Sequence, residues 1–400
     1  MPSTGTLRSL VPRLRELRHD LHRHPELGFE EHRTQEIVLR WLRDHGYDPR
    51  TCADTGVVAD LFPERVGRAT TIALRADLDC LPMQERTDLP YRSVHDGRAH
   101  KCGHDGHTAI LLGVAAELAR RKNSIEGNVR LIFQPAEEGV RGGGAKVMIH
   151  EGVLSEVAEI YGLHNWPNYA KGEVRVAAGP LMAETHELRI TIAGKGGHGS
   201  QPQLCRDPIV AAAQLVVALQ TVVSRGLGYE GGAVLSVCTL NSGEASNVIP
   251  EHAKLSGTIR TFEAHVRTRV VERVREIAAG IATSYGVVVE VALERGYPAL
   301  INTPTCADAV RRVACQLFGE ARVSDRDLPM AGSEDFAYFA QQIPAAYFFL
   351  GAGVPGESTP GCHHPDFDFD DDLIPVGVQM LVGIVADRIG EAAARPEVAS

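Results

Sequence analysis

No run in this 400-residue chain approaches the roughly 18 consecutive apolar positions of a membrane-spanning helix, so a transmembrane protein is not expected. Blocks of like charge are missing too. The net charge of −10 is spread along the chain, which speaks against nucleic acid and an anionic membrane as partners. Internal repeats are absent, which excludes a solenoid. The first 20 residues hold Arg8, Arg13, Arg15 and Arg18 and lack the apolar core of a secretory signal. The eight cysteines, at 52, 80, 102, 205, 238, 306, 315 and 362, therefore read as thiols of a reduced, cytoplasmic chain, most of them small core residues.

The hydrophobic content of 44% is ordinary for a globular protein, and 400 residues exceed what one core usually serves. Leu7, Leu10, Val11, Leu14, Leu17 and Leu21 recur at helical spacing, followed by Ile37, Val38, Trp41 and Leu42 on one face of a second helix. Strands at 57–62, 71–74, 129–133 and 158–163 then alternate with helical pattern, as in a largely parallel α/β sheet. Beyond Glu184 the texture changes to an alternating strand, a helix over 207–223, two strands, a helix over about 264–284 and a closing strand. This β-α-β-β-α-β order is that of a ferredoxin-like α+β unit. After Tyr297-Pro298 the α/β texture returns, with a strand at 346–350. The expected domains are a discontinuous catalytic domain, 1–184 and 297–400, and an inserted domain, 185–296.

The densest chemistry lies in His100-Lys101-Cys102-Gly103-His104-Asp105-Gly106-His107, just before a helical pattern. Cys102 and His104 are two apart and can reach one point, a donor set suited to a transition metal. Further candidates follow predicted strands: Asp77 and Asp79, Glu137-Glu138, His164, and His363-His364. Open α/β sheets place their sites at the carboxyl ends of strands, so these segments should converge. Cys102, His104, Glu138, His164 and one of the adjacent His363 and His364 suit two divalent ions better than one, with a thiolate available to bridge and room for a shared water. Glu137, next to ligand Glu138 in a non-helical turn, can act as general base, and Asp79 can buttress an imidazole.

The motifs Leu17-Arg-His-Asp-Leu-His-Arg-His-Pro-Glu-Leu-Gly-Phe-Glu-Glu, Arg75-Ala-Asp-Leu-Asp-Cys, Cys102-Gly-His-Asp-Gly-His-Thr and Phe133-Gln-Pro-Ala-Glu-Glu-Gly occur with Gly162-Leu-His-Asn-Trp-Pro, Gly194-Lys-Gly-Gly-His-Gly, Asn247-Val-Ile-Pro, Gly257-Thr-Ile-Arg and Gly332-Ser-Glu-Asp-Phe. Together they resemble the dinuclear metallo-amidohydrolase superfamily of aminoacylases and carboxypeptidases. The nearest branch holds hippurate hydrolases, N-acyl-amino-acid amidohydrolases and auxin-conjugate hydrolases. The resemblance implies a metallopeptidase-type catalytic domain and an inserted lid that also dimerises. It implies hydrolysis of the amide between an acyl group and an amino acid; the charge balance of the donors favours a metal-bound hydroxide, and Cys with His suits zinc, with manganese, cobalt and nickel also open. Cys102, His104, Glu138, His164 and His363 match its metal ligands, His363 by its distance to Pro365, and Glu137 matches its base. His198 matches a histidine lent to the partner subunit's site, while Asn247 and Arg260 match substrate-contacting positions, Arg260 as a fork for the free carboxylate.

Three other readings compete. Cys102 and His104 could serve as nucleophile and base of a thiol amidase. The site could belong to a dinuclear peptidase acting on short peptides, or to a non-catalytic protein binding metal or amino acids. A pure binder has no need of Glu137.

Overall fold

A computed structural model describes residues 4–67, 71–139, 142–228, 232–354 and 359–390. The chain divides into two compact units. One takes in the chain up to Leu181, Ile301–Leu328 and the part from Asp335 on; the other comprises Met182–Leu300 and Pro329–Glu334.

Among the described residues, the first unit is built on an eight-stranded mixed sheet, ordered Arg50–Cys52, Gly56–Asp60, Asn128–Gln134, Thr71–Asp77, Glu159–Ala170, Ala345–Gly353, Val174–Arg175 and Val323–Ser324. The four central strands run parallel, pairing Thr71 with Asn128, Ile72 with Glu159, and Ala345 with Ile160. Thr71–Asp77, Asn128–Gln134 and Ala345–Gly353 are buried along their whole length, as expected for parallel strands covered on both faces. The covering helices include Thr4–Arg23, His104–Arg120 and Leu373–Ile389. They approach closely where side chains are missing. A Cβ on Gly113 would lie 2.7 Å from Val378 and 2.8 Å from Leu14, and one on Gly377 would lie 2.6 Å from Ile110.

The strand expected at 158–163 is longer than its sequence pattern suggests, running Glu159–Ala170 through His164 and past Pro167. Its neighbour permits this through a register irregularity between Gly351 and Gly353. A Cβ on Gly351 would lie 2.1 Å from the Ala170 carbonyl oxygen, and one on Gly353 2.2 Å from that of Pro167. His164 is therefore inside a strand, opposite Phe349, rather than beyond its end.

The second unit carries a four-stranded antiparallel sheet ordered Ala233–Ser242, His252–Thr261, Glu184–Ala193 and Val288–Arg295. Helices Pro208–Ser224 and Ala264–Tyr285 complete the β-α-β-β-α-β order. Leu188, Ile190 and Ile192 of the sheet share a core with Leu215 and Leu219 of one helix and Val266, Val270 and Val274 of the other. The Asp207 side chain caps the first of these helices by accepting the Ile209 N–H at 2.8 Å, with Pro208 at the first helical position. Among the described residues no helix is long and apolar enough to cross a membrane.

Candidate active site

Three of the parallel strands bring side chains to one place. Thr71–Asp77 leads to Asp79, Asn128–Gln134 leads to Glu137 and Glu138, and Glu159–Ala170 carries His164. The loop before helix His104–Arg120 adds Cys102, with Gly103 at φ 103°, a conformation that favours glycine. Gly103 is also sterically required, because a Cβ there would lie 2.1 Å from Asn165 Oδ1.

The donor atoms fall into overlapping groups, each mutually within 4.8 Å: Cys102 with His104 and His164; Cys102 with Glu138 and His363; His104 with Glu137 and Glu138. All five residues proposed as ligands from sequence are thus gathered, with Glu137 beside them. His363 joins the group and His364 does not. The His363 N–H donates to the Lys101 carbonyl at 2.6 Å, tying the two loops together, while His364 Nδ1 accepts the N–H of Asp366 in its own turn.

Two of the imidazoles are held by the nitrogen that faces away from the group. His104 Nδ1 donates to Asp79, 2.9 Å from its carbonyl and 3.2 Å from Oδ1, and His164 Nδ1 donates to the Asn165 carbonyl at 2.6 Å. This orients both rings and turns their Nε2 atoms toward the group, the arrangement that metal-binding histidines use. His164 Nε2 lies 3.3 Å from Cys102 Sγ. His104 Nε2 and Glu138 Oε1 are buried with no hydrogen-bond partner among the described residues. Glu138 Oε1 is 4.0 Å from His104 Nε2 and 3.2 Å from His363 Nε2, close enough for an ion pair but not aligned as a hydrogen bond. Buried polar atoms are almost always paired, so two orphans facing each other imply something between them. The donor set of thiol, imidazoles and carboxylate fits divalent transition ions.

Asp79 spans the group. One side-chain oxygen receives His104, and the other accepts the Glu138 N–H at 3.0 Å. Glu137 Oε1 accepts the Asp335 N–H at 3.3 Å, while Oε2 lies 4.0 Å from His104 Nε2. Behind this layer, His107 Nδ1 donates to Asp77 Oδ1 at 2.7 Å, and Asp77 Oδ2 accepts from Arg75 at 2.6 Å. His107 was visible in the sequence as the residue one helical turn beyond His104. The roles of Arg75 and Asp335 in this layer were not foreseen, because contacts between distant segments leave no local pattern.

Electrostatics point the same way. Burial works against charge on His104, yet Asp77 and Asp79 hold its pKa well above the usual histidine value. The Cys362 thiol, burial and Glu138 push the Cys102 thiol well up. Burial, with His107 next to it, pushes His164 well down. Burial likewise opposes ionisation of Asp77, but His104, Arg75 and His107 hold its carboxyl well below the ordinary range.

The remaining sequence candidates belong to the second unit. His198 is exposed and pairs with Val248 in a two-residue bridge; its Nδ1 accepts the Ser200 N–H at 3.1 Å. The Asn247 carbonyl accepts the Gly199 N–H at 2.8 Å. Arg260 is part-buried, with a guanidinium nitrogen 3.4 Å from the Ser333 hydroxyl, and burial lowers its pKa.

Comparison with known proteins agrees with this geometry. The model of "Peptidase family M20/M25/M40" matches residues 73–387. The chain belongs to peptidase family M20. Among its relatives is an N-acetylcysteine deacetylase of Bacillus subtilis, 41% identical over 369 residues, covering 92% of this chain and 94% of that one. A hippurate hydrolase of Campylobacter jejuni is 37% identical over 361 residues, covering 90% and 92%. A solved Bacillus subtilis structure, described as a dinuclear metal-binding peptidase of the M20 family, superposes with a TM-score of 0.82 at 35% identity, covering 96% of this chain and 99% of that one. The M20 chain described here is accordingly a metal-binding hydrolase of amide bonds.

Metal binding must displace protons. Both Cys102 and His104 have raised pKa values, so each holds its proton more tightly than usual and must lose it to bind an ion. Affinity should therefore rise with pH. Calorimetry in buffers of different ionisation enthalpy should find about two protons released per loaded centre near pH 7. Release of none would mean that Cys102 and His104 do not bind the metal.

Proposed function

We propose that this M20 enzyme hydrolyses N-acyl amino acids to a carboxylic acid and a free amino acid, using two divalent ions held by Cys102, His104, Glu138, His164 and His363. The observation that carries the reading is the pair of orphaned buried atoms, His104 Nε2 and Glu138 Oε1, with a second carboxylate, Glu137, beside them. The deacetylase and hippurate hydrolase relatives are named for substrates that are N-acyl amino acids, which supports that class. Zinc, manganese, cobalt and nickel all suit the donor set.

Bound ions would polarise the scissile carbonyl and acidify a water. Glu137 does the proton work. Its Oε1 is restrained by the Asp335 N–H, and the carboxylate takes a proton from the attacking water and passes it to the departing amine nitrogen. Asp79 keeps His104 in the tautomer that presents Nε2. Arg260 takes the free carboxylate of the substrate, with Asn247 as a further contact, and His198, lent across a homodimer of lid domains, donates to the developing oxyanion.

The test is a hydrolysis screen of N-acetyl, N-benzoyl and indole-acetyl amino acids, each as free acid and as C-terminal amide, with metal-reconstituted enzyme. Free acids should be cleaved, and Glu137→Gln, at full metal content, should lose about 10²–10⁴-fold in kcat. Near-normal turnover by that variant would remove Glu137 from the role of base. Arg260→Ala should weaken binding of the acids much more than of the amides, and equal losses would mean that Arg260 does not read the carboxylate. His198→Ala and Glu137→Gln subunits, each nearly inactive alone, should recover roughly a quarter of wild-type activity when randomly exchanged into mixed dimers. If verified exchange restores nothing, His198 does not act across the interface.

A further inference from the structure

The turn that carries Glu137 and Glu138 is held in an uncommon shape. Ala136 has φ 53°, left-handed in a residue other than glycine. Its carbonyl accepts the Gly144 N–H at 2.9 Å, and its own N–H donates to Glu31 Oε1 at 2.8 Å. The other oxygen of Glu31 accepts the Thr55 hydroxyl at 2.5 Å. Glu31 and Thr55 are both fully buried.

Glu31 is an expensive way to hold a turn. Among the described residues it pairs with no cation, and burial, reinforced by Asp79, pushes its carboxyl up to about 7. A buried acid without a counter-charge costs folding free energy, and water would satisfy an exposed turn equally well. What the carboxyl provides is rigidity at one atom. The turn is then clasped at successive residues: Ala136 by Glu31, Glu137 by the Asp335 N–H, and Glu138 by Asp79. The first and last of these clasps differ. Asp79 also orients His104, whereas Glu31 reaches only backbone and a hydroxyl, so its effect on the site must pass through the turn. Its segment is anchored beside Asp79 by the Cys80 N–H, which donates to the Glu26 carbonyl at 2.8 Å.

We propose that Glu31, seated by Thr55, is a positioning residue that sets where the Glu137 carboxylate and the Glu138 donor point. It touches neither metal nor substrate. The proposal rests on the amidohydrolase reading of Glu137, but its effect on metal affinity can be read without any turnover.

The experiment compares Glu31→Ala, Glu31→Gln and Thr55→Val with the wild type, in metal affinity by chelator competition and in kcat and KM at full metal. Glu31→Ala should weaken metal binding about 10–100-fold, the size usual for loss of a residue supporting a ligand. It should lower kcat about as much and leave KM within about threefold, because the substrate's own contacts are untouched. Glu31→Gln keeps an oxygen for the Ala136 N–H and can donate to the Thr55 oxygen, so it should restore most of both. Thr55→Val should give a smaller loss that does not add to that of Glu31→Ala. Wild-type kcat and metal affinity in Glu31→Ala would overturn the proposal, as would a Glu31→Gln variant impaired as badly as the alanine. Should Glu31→Ala fail to fold, Thr55→Val decides, and unchanged values there would overturn it. A wild type that cleaves no amide would instead count against the amidohydrolase reading, leaving the metal-affinity comparison to judge Glu31.

Discussion

Asp77, Asp79 and Glu137 are buried in one part of the first unit, with Glu138 nearly so, and the guanidinium of Arg75 that neutralises Asp77 is shared with Asp335, 3.1 Å away. Carboxylates packed together in a poorly polarisable interior repel one another and lose hydration. Asp77 and Asp79 in turn raise the pKa of His104, and a proton on that ring would relieve part of this. Cations entering among Cys102, His104, Glu138, His164 and His363 would relieve the rest, and in that group His104 Nε2 and Glu138 Oε1 are buried without a hydrogen-bond partner among the described residues. Much of the surrounding structure can be understood as holding that arrangement in place against its own repulsion.

The loop bearing Cys102 shows how far this extends. On either side of the thiol, Lys101 donates to Glu85 and to the Phe367 carbonyl, both at 2.7 Å, and Asp105 accepts from Arg18 at 2.8 Å and pairs with His22 at 2.8 Å. Burial opposes the charge on Asp105, but Arg18 and His22 hold its carboxyl well below the ordinary range. Arg18 also reaches Asp368, so helix Thr4–Arg23 and the segment after His363 meet at one guanidinium. Removing one member of such a buried set leaves its partner uncompensated, typically about 3–5 kcal/mol. That makes the arginine and histidine of the amino-terminal helix part of the site's support, although neither lies among the candidate ligands.

Periodicity and spacing carried the α/β class and the ferredoxin-like strand order, because Leu188, Ile190 and Ile192 alternate along a strand while Val266, Val270 and Val274 recur at helical intervals. The candidate donors were legible for a related reason: Asp79, Glu137 and Glu138 follow strands and Cys102 precedes a helix, so topology sends them to one end of the sheet, whereas His164 lies inside its strand. What stayed hidden depends on contacts between distant segments. The extension of the strand through His164 depends on glycines almost 200 residues away, and the helix Gly144–His150 is too short and glycine-flanked to show a period. Glu31 closes the motif that begins at Leu17, but nothing in the sequence gives it a role, and its burial against Ala136 and Thr55 is what sets it apart.

The central claim is that the orphaned donors surround two cations. Crystals of the protein loaded with zinc or manganese, measured at the absorption edge of the metal, test it most directly. The account predicts two anomalous peaks that between them touch Cys102, His104, Glu138, His164 and His363, with Asp77 and His107 bound only to each other and to their neighbours. A single peak, or an ion seated on Asp77 and His107 with Cys102 left free, would contradict it.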